Sequence, residues 1–235
     1  MNLTIYDTID SSYINIYSIT IVSNRMLQNL ACGMPNLQEV EIEVINGLKE
    51  SKLVAFLKAN PQIKKLDTNI IDFTRKIFKT ILSLKFLQRW YIRNWSCDVM
   101  KINDLPCNYS IKYLKFSGRT PNPLALQIIN SCNTLKTLDL RSVHNVMLVN
   151  DLWYLEWCKL ERNIDILKLN SSRRAYDEIK NIDESKLFNR VYFHYSGKSP
   201  IEKLLDEYFS DKLINYKVVS YIPQSLIRKL ISKID

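Results

Sequence analysis

The stretch from Ser110 to Ser117, SIKYLKFS, is echoed from Asn133 to Arg141, NTLKTLDLR, with apolar residues at the same intervals. Aligned on apolar positions 1, 4 and 6, the phrase can be placed nine times, beginning at Ile16, Leu37, Ile63, Leu87, Ile111, Leu135, Ile164, Phe188 and Leu213. Successive starts lie 21, 26, 24, 24, 24, 29, 24 and 25 residues apart. All but one of the 27 positions so defined are apolar, the exception being Thr68. Chance at 46% apolar content would supply about 12.

Positions 4 and 6 lie two residues apart, so in an extended chain both point to one face, and positions 3, 5 and 7 point to the other. Each phrase therefore predicts a short strand. Between phrases the apolar spacing turns helical: Leu48, Leu53, Phe56 and Leu57, then Phe73, Ile77, Phe78 and Ile81, then Leu124, Ile128 and Ile129 after Pro121 and Pro123. Further helices are expected from Ile201 to Tyr208 after Pro200, and from Leu226 to Ile234 after Pro223. A strand and a helix in about 24 residues cannot bury an apolar face alone, so neighbouring units have to stack. The expected fold is a single α/β solenoid over residues 1–235, with a curved parallel sheet inside, helices outside and about eight or nine irregular repeats. Residues 1–15 are expected to cap one end, 16–222 to form the repeats, and 223–235 to form a C-terminal capping helix.

The phrases MPNLQEVEIEV, SIKYLKFSG and CNTLKTLDLRS resemble leucine-rich repeats of L-x-x-L-x-L type, and the lead-in RMLQNLACGMPNLQEV resembles the helix-to-strand joint of F-box-associated leucine-rich repeats. That resemblance implies a horseshoe binding other proteins on its concave sheet; relatives carrying an F-box are substrate receptors of cullin-type ubiquitin ligases. Two departures stand out. The family often places Asn or Cys at position 9 to satisfy backbone groups in the turn, where this chain has Asn24 once and elsewhere Ile45, Ile71, Trp95, Arg119, Val143, Ser172, Ser196 and Tyr221. The second is that no F-box-like helical module is read ahead of the repeats, since the chain opens on the strand-like residues Leu3 to Tyr6 and Tyr13 to Val22.

Composition narrows the function classes. With 46% apolar and 24% charged residues, the balance is that of a folded soluble protein. Neither a leader segment nor an apolar run of about 18 residues is read, which places the expected location in the cytoplasm or nucleus. Five cysteines, widely spaced and without C-x-x-C, alongside two histidines, argue against a disulfide framework or a zinc site; they read as small buried hydrophobes. Four glycines leave no phosphate-binding loop or dinucleotide fingerprint, and neither G-x-S-x-G nor H-E-x-x-H occurs. No enzyme activity and no cofactor are expected.

The formal charge of +9 is unevenly placed: residues 1–60 carry four Lys/Arg against six Asp/Glu, and the remainder 29 against 18. On the polar strand face, from Arg89 onward, positions 3, 5 and 7 hold seven Lys/Arg and one acid. Arg89, Tyr91, Arg93, Tyr113 and Lys115 form the expected centre of a contact surface for an acidic protein partner, because a rigid ring beside a forked cation gives large contact at modest entropy cost. Arg141, Lys168, Arg190, Tyr192 and His194 extend it. Glu39, Glu41 and Glu43 read as a solvated acidic end. His144 and His194 read as ordinary surface or core residues, and Trp153 and Trp157, four apart, as helix packing. The competing reading is a basic nucleic-acid-binding module using Arg89, Arg93, Lys115, Arg141, Lys168 and Arg190 against phosphates.

Overall fold

A computed structural model describes residues 2–4, 15–69, 74–93, 102, 104–117, 122–142, 160, 162–170, 185–194 and 217–218. Ten strands form one sheet whose spatial order is the chain order: β1 (Asn2–Thr4), β2 (Ser18–Ile21), β3 (Glu39–Ile42), β4 (Lys65–Asn69), β5 (Arg89–Arg93), β6 (Tyr113–Ser117), β7 (Thr137–Ser142), β8 (Ile164–Asn170), β9 (Phe188–His194) and β10 (Lys217–Val218). Every neighbouring pair runs parallel. Among the described residues four α-helices lie between strands: α1 (Asn24–Asn29), α2 (Glu50–Ala59), α3 (Arg75–Leu82) and α4 (Asn122–Ser131). The protein is α/β with an all-parallel sheet.

Strand pairing follows the phrase alignment. Position 3 of one phrase sits opposite position 3 of the next through Ser18, Glu39, Lys65, Arg89, Tyr113, Thr137, Ile166 and Arg190, and Tyr192 faces Lys217 at position 5. β5, β6 and β7, from the phrases beginning at Leu87, Ile111 and Leu135, are adjacent and run the same way, as the spacing predicts. One irregularity interrupts the ladder: between Lys115 and Ser117 the register with β7 shifts, so Ser117 faces Ser142 rather than Arg141. The expected N-terminal cap contributes a strand of its own, β1, at the edge beside β2. The helices expected after Pro200 and Pro223, and the C-terminal cap at 223–235, lie outside the described residues, as do Trp153, Trp157 and His144.

Positions 4 and 6 are buried from Ile19 and Ile21 through Leu138 and Leu140, and they meet Leu53, Phe56 and Leu57 of α2, Ile77, Phe78 and Ile81 of α3, and Ile128 and Ile129 of α4 in one core. α1 and α3 start with Ser23 and Thr74, whose hydroxyls accept from the N–H groups of Met26 and Ile77, each at 3.3 Å. α1 packs on α2 and α2 on α3, as helices spaced by successive parallel strands do.

Thr68, the one polar residue of the apolar pattern, is fully buried for a reason the neighbouring strand supplies. Its Oγ1 accepts from the indole Nε1 of Trp90 at 3.2 Å and donates to the carbonyl of Tyr91 at 3.0 Å. Trp90 is itself fully buried, edge-on to Phe78 at 6.2 Å between ring centres, so its N–H needs a partner in the core. A β-branched residue with a hydroxyl meets both demands.

The turns that lead into the strands close on buried asparagines. Asn60 accepts from Met34 N at 2.8 Å and donates to Phe56 O at 2.9 Å; Asn108 donates to Leu82 O and Leu84 O, at 2.8 and 3.0 Å, and accepts from Ser110 N and Ile111 N, both at 2.8 Å. Both stand three residues ahead of a phrase. Asn24, the one residue fitting the position-9 pattern, bridges to the next unit by donating to Gly47 O at 2.9 Å and accepting from Lys49 N at 2.8 Å. At the end of the 3-10 helix Leu30–Cys32 that follows α1, Gly33 takes φ +87°, and a Cβ there would lie 2.9 Å from the Ala59 carbonyl oxygen, so both backbone and space require glycine. Of the cysteines, Cys132 is buried as expected, its thiol pushed up to about 12 by that burial, whereas Cys32, the last residue of that 3-10 helix, and Cys107 are exposed and free.

Thr68→Val, nearly isosteric and more apolar, is expected to destabilise the fold by about 1–3 kcal/mol, because it strands the Trp90 N–H in the core. Urea denaturation of the two proteins measures this, and a neutral or stabilising Val would refute the account.

Candidate functional site

The candidate face is the sheet surface opposite the helices, formed by positions 3, 5 and 7. Its residues alternate with buried ones along each strand and are mostly half-exposed. Two regions divide it.

The first spans β3, β4 and the far end of β5. Arg93 reaches across two strands: its Nε donates to Asp67 Oδ1 at 2.6 Å and its Nη2 to Glu41 Oε1 at 2.6 Å, with Glu43 Oε1 at 3.4 Å. Asn69 donates to the other Glu43 oxygen at 3.0 Å, and Lys65 to Glu39 at 2.9 Å. The acidic end is therefore the counter-charge of Lys65 and Arg93. Its carboxylates differ: the Asn69 hydrogen bond, with help from Arg93, holds Glu43 below the usual carboxylate range, whereas burial pushes Asp67 up and Arg93 only partly offsets it.

The second region spans β5 to β8. Tyr91 and Tyr113 meet edge to face with ring centres 5.5 Å apart; Lys65 Nζ lies 5.9 Å from the Tyr91 centre and Lys168 Nζ 5.7 Å from that of Tyr113. The Tyr113 hydroxyl donates to Asp139, and burial first, then that bond, push its pKa up. Asp139 has no exposed surface although it stands on the polar face, because Tyr113 and Arg141 cover it. Arg141 grips it with Nε at 2.9 Å, Nη2 at 2.7 Å and its backbone N–H at 3.1 Å, where the register of β7 with β6 shifts. Burial opposes ionisation of Asp139, but the bonds from Arg141 and Tyr113 outweigh it and keep the carboxyl below its usual range.

The expected contact residues thus sort by what already holds them. Arg93 and Arg141 are engaged by carboxylates of this chain, and Arg190 on β9 pairs with Asp165. Arg89 is exposed, Lys115 half-exposed, and neither has a carboxylate partner among the described residues. Tyr192 is half-buried between Lys168 and Lys217 in register. His194 stands opposite Asn170, and its side chain lies outside the described residues. Among the described residues no group of His, Cys, Asp and Glu side chains is arranged to hold a metal ion, and no helix is long and apolar enough to cross a membrane. No protein-family model matches the chain, and no curated protein matches it either.

The opposite shifts of the buried Asp139 and the half-buried Asp67 give a pH test. Asp139, depressed in the fold, contributes stability that is present above its unfolded value of about 3.9 and is lost as pH falls through its lower folded value. Asp139→Asn is expected to cost about 1–2 kcal/mol at pH 7, a difference from wild type that shrinks below about pH 4. Asp67 has the reverse sign, its ionised form being disfavoured in the fold, so Asp67→Asn is expected to cost under about 1 kcal/mol at pH 7 while Arg93 keeps Glu41 and Glu43. Thermal unfolding from pH 3 to 7 measures both; equal losses for the two variants would refute the assignment.

Proposed function

We propose that this chain is a solenoid of irregular leucine-rich-repeat-like units and that it works as a non-enzymatic scaffold, holding a protein partner on the sheet face. The even register of successive phrases supports the repeat architecture, since stacked copies of one unit would pair position for position. The observation that carries the function is the Tyr91–Tyr113 pair with Arg89 and Lys115 beside it. Two half-exposed rings fixed edge to face, next to cations with no ion pair among the described residues, are what a desolvated contact centre needs. Arg93, Arg141 and Arg190 then act chiefly by bracing the surface. The partner chemistry that fits is an acidic protein surface. If the likeness to F-box-associated repeats extends to use, the chain is the substrate-recognition part of a ubiquitin ligase working in the cytoplasm or nucleus, and a cullin adaptor belongs among its neighbours.

Affinity capture with quantitative mass spectrometry, comparing wild type with Tyr91→Ala/Tyr113→Ala and with Arg89→Glu/Lys115→Glu, tests the reading. At least one protein is expected to fall about tenfold or more in both variants, the loss typical of a contact hot spot. If every protein recovered by the wild type is recovered equally by both variants, the sheet face is not the binding surface.

A further inference from the structure

Much of the positive charge of the sheet face is already paired: Lys65, Arg93, Arg141 and Arg190 each have a carboxylate of this chain. The edge at which the strands begin is different. Residues 60–64, 84–88, 108–112 and 132–136 form four successive turns, and none contains an acid. Lys64, Lys85, Lys112 and Lys136 in them are exposed, with no ion pair among the described residues; Asp165, beside Lys136 at the start of the next strand, is held by Arg190. Backbone bonds set three of these in one row with Gln88: Gln88 N donates to Lys64 O at 2.8 Å, Lys112 N to Gln88 O at 2.9 Å and Lys136 N to Lys112 O at 2.9 Å. Neighbours in the row are therefore about 4.8 Å apart along the sheet.

Two rings stand in the same edge. Phe86 is 57% and Tyr109 71% exposed, the largest exposures among the bulky apolar residues described. They are on adjacent turns that Ser110 ties together, its Oγ 2.9 Å from Leu87 O and 3.2 Å from Leu84 O. Neither ring is needed to seal the core, which closes beneath them on Leu84, Leu87 and Ile111. The lysines are not needed as helix caps either. Carbonyls at the ends of α2, α3 and α4 are taken by Asn60, Asn108 and Arg162, the last donating to Asn130 O and Cys132 O.

We infer that this edge is a binding site for single-stranded nucleic acid, with Lys64, Lys85, Lys112 and Lys136 on the phosphates and Phe86 and Tyr109 stacked on bases. A single strand offers what both sets of groups lack, an anionic backbone with exposed flat faces alongside. A duplex hides those faces, and an acidic peptide offers the charge without them. The site shares no residue with the Tyr91–Tyr113 patch, so it stands or falls apart from the protein-scaffold reading.

The test is fluorescence anisotropy with a labelled oligothymidylate of about 20 nucleotides, titrated across salt concentrations, with the matching duplex and poly-glutamate as competitors. Binding at low salt is expected, with the slope of log affinity against log salt falling by about 3 in Lys64→Gln/Lys85→Gln/Lys112→Gln/Lys136→Gln. Phe86→Ala/Tyr109→Ala is expected to weaken the single strand at least about fivefold and to leave the duplex unchanged. Tyr91→Ala/Tyr113→Ala is expected to change nothing. No binding at low salt overturns the inference, as does a slope unchanged in the lysine variant. Indifference to the two rings with poly-glutamate competing as well as DNA would make the edge a site for acidic protein, and loss of binding in Tyr91→Ala/Tyr113→Ala would move the nucleic acid to the sheet face; either outcome also overturns it. Circular dichroism on each variant establishes that it is folded.

Discussion

A strand held between two parallel neighbours has one face sealed against helices, and the rest of this structure is arranged around keeping that face dry and in register. Positions 4 and 6 are buried from β2 to β7, so a slip of one residue would bring charged side chains such as Glu41 or Lys115 into the core and turn Val40 or Leu114 out to water. Register is thereby fixed at each step by the step before it. The same seal makes the turns a problem, because helix carbonyls end beside the starts of the strands with little water to satisfy them. Asn60 supplies a missing donor from within its own unit, whereas Asn108 and Arg162 supply theirs from 26 and 30 residues further along the chain. Each unit is therefore closed, in part, by its successor.

On the open face the constraint is electrostatic. Glu41 and Asp67 are directly opposed in register, an arrangement that repels unless a cation stands over it. Arg93, one strand further on and two residues along, provides that cation with a fork long enough to reach both and Glu43 as well. Asp67 still titrates high, so the arrangement is satisfied rather than comfortable. Asp139 solves the same difficulty locally, with Arg141 from its own strand and the Tyr113 hydroxyl from the neighbour. Pairing of this kind uses up charge that a count of residues treats as available.

The sequence is readable where one residue type has one physical meaning at one spacing. Apolar residues three and two apart predict β2 to β10, and the alignment of those phrases predicts the pairing register, because burial of one strand face leaves no other alignment with a dry core. Helical spacing predicts α2, α3 and α4 for the same reason; α1, only six residues long, offers too few turns to show a period. Charge pairing is not readable in this way. Glu41 and Arg93 are separated by 52 residues and by an intervening strand, and whether a long side chain lies along the sheet or stands away from it depends on neighbours that periodicity does not specify. The buried asparagines left a fainter trace, Asn at the third place before a phrase in two units, which only the demand of the turn carbonyls makes meaningful. Phe86 and Tyr109 stand just ahead of the phrases that begin at Leu87 and Ile111, and their exposure follows from turns whose direction the pattern does not give.

Two surfaces of one protein then differ in a property that bears on how each would be used. Tyr113 is pinned by Asp139 and set edge-on to Tyr91, so the sheet face presents its rings in a fixed arrangement, and binding there would cost little side-chain freedom. Lys64, Lys85, Lys112 and Lys136 are unanchored, and a cation on a flexible stem follows a charged backbone without reading its sequence. Under the proposed functions, discrimination between partners belongs to the braced face and salt-dependent attraction to the edge. The bracing acids sharpen that division: by engaging Arg93, Arg141 and Arg190 they leave Arg89 and Lys115 as the open cations of the face, while the edge lysines have no ion pair among the described residues.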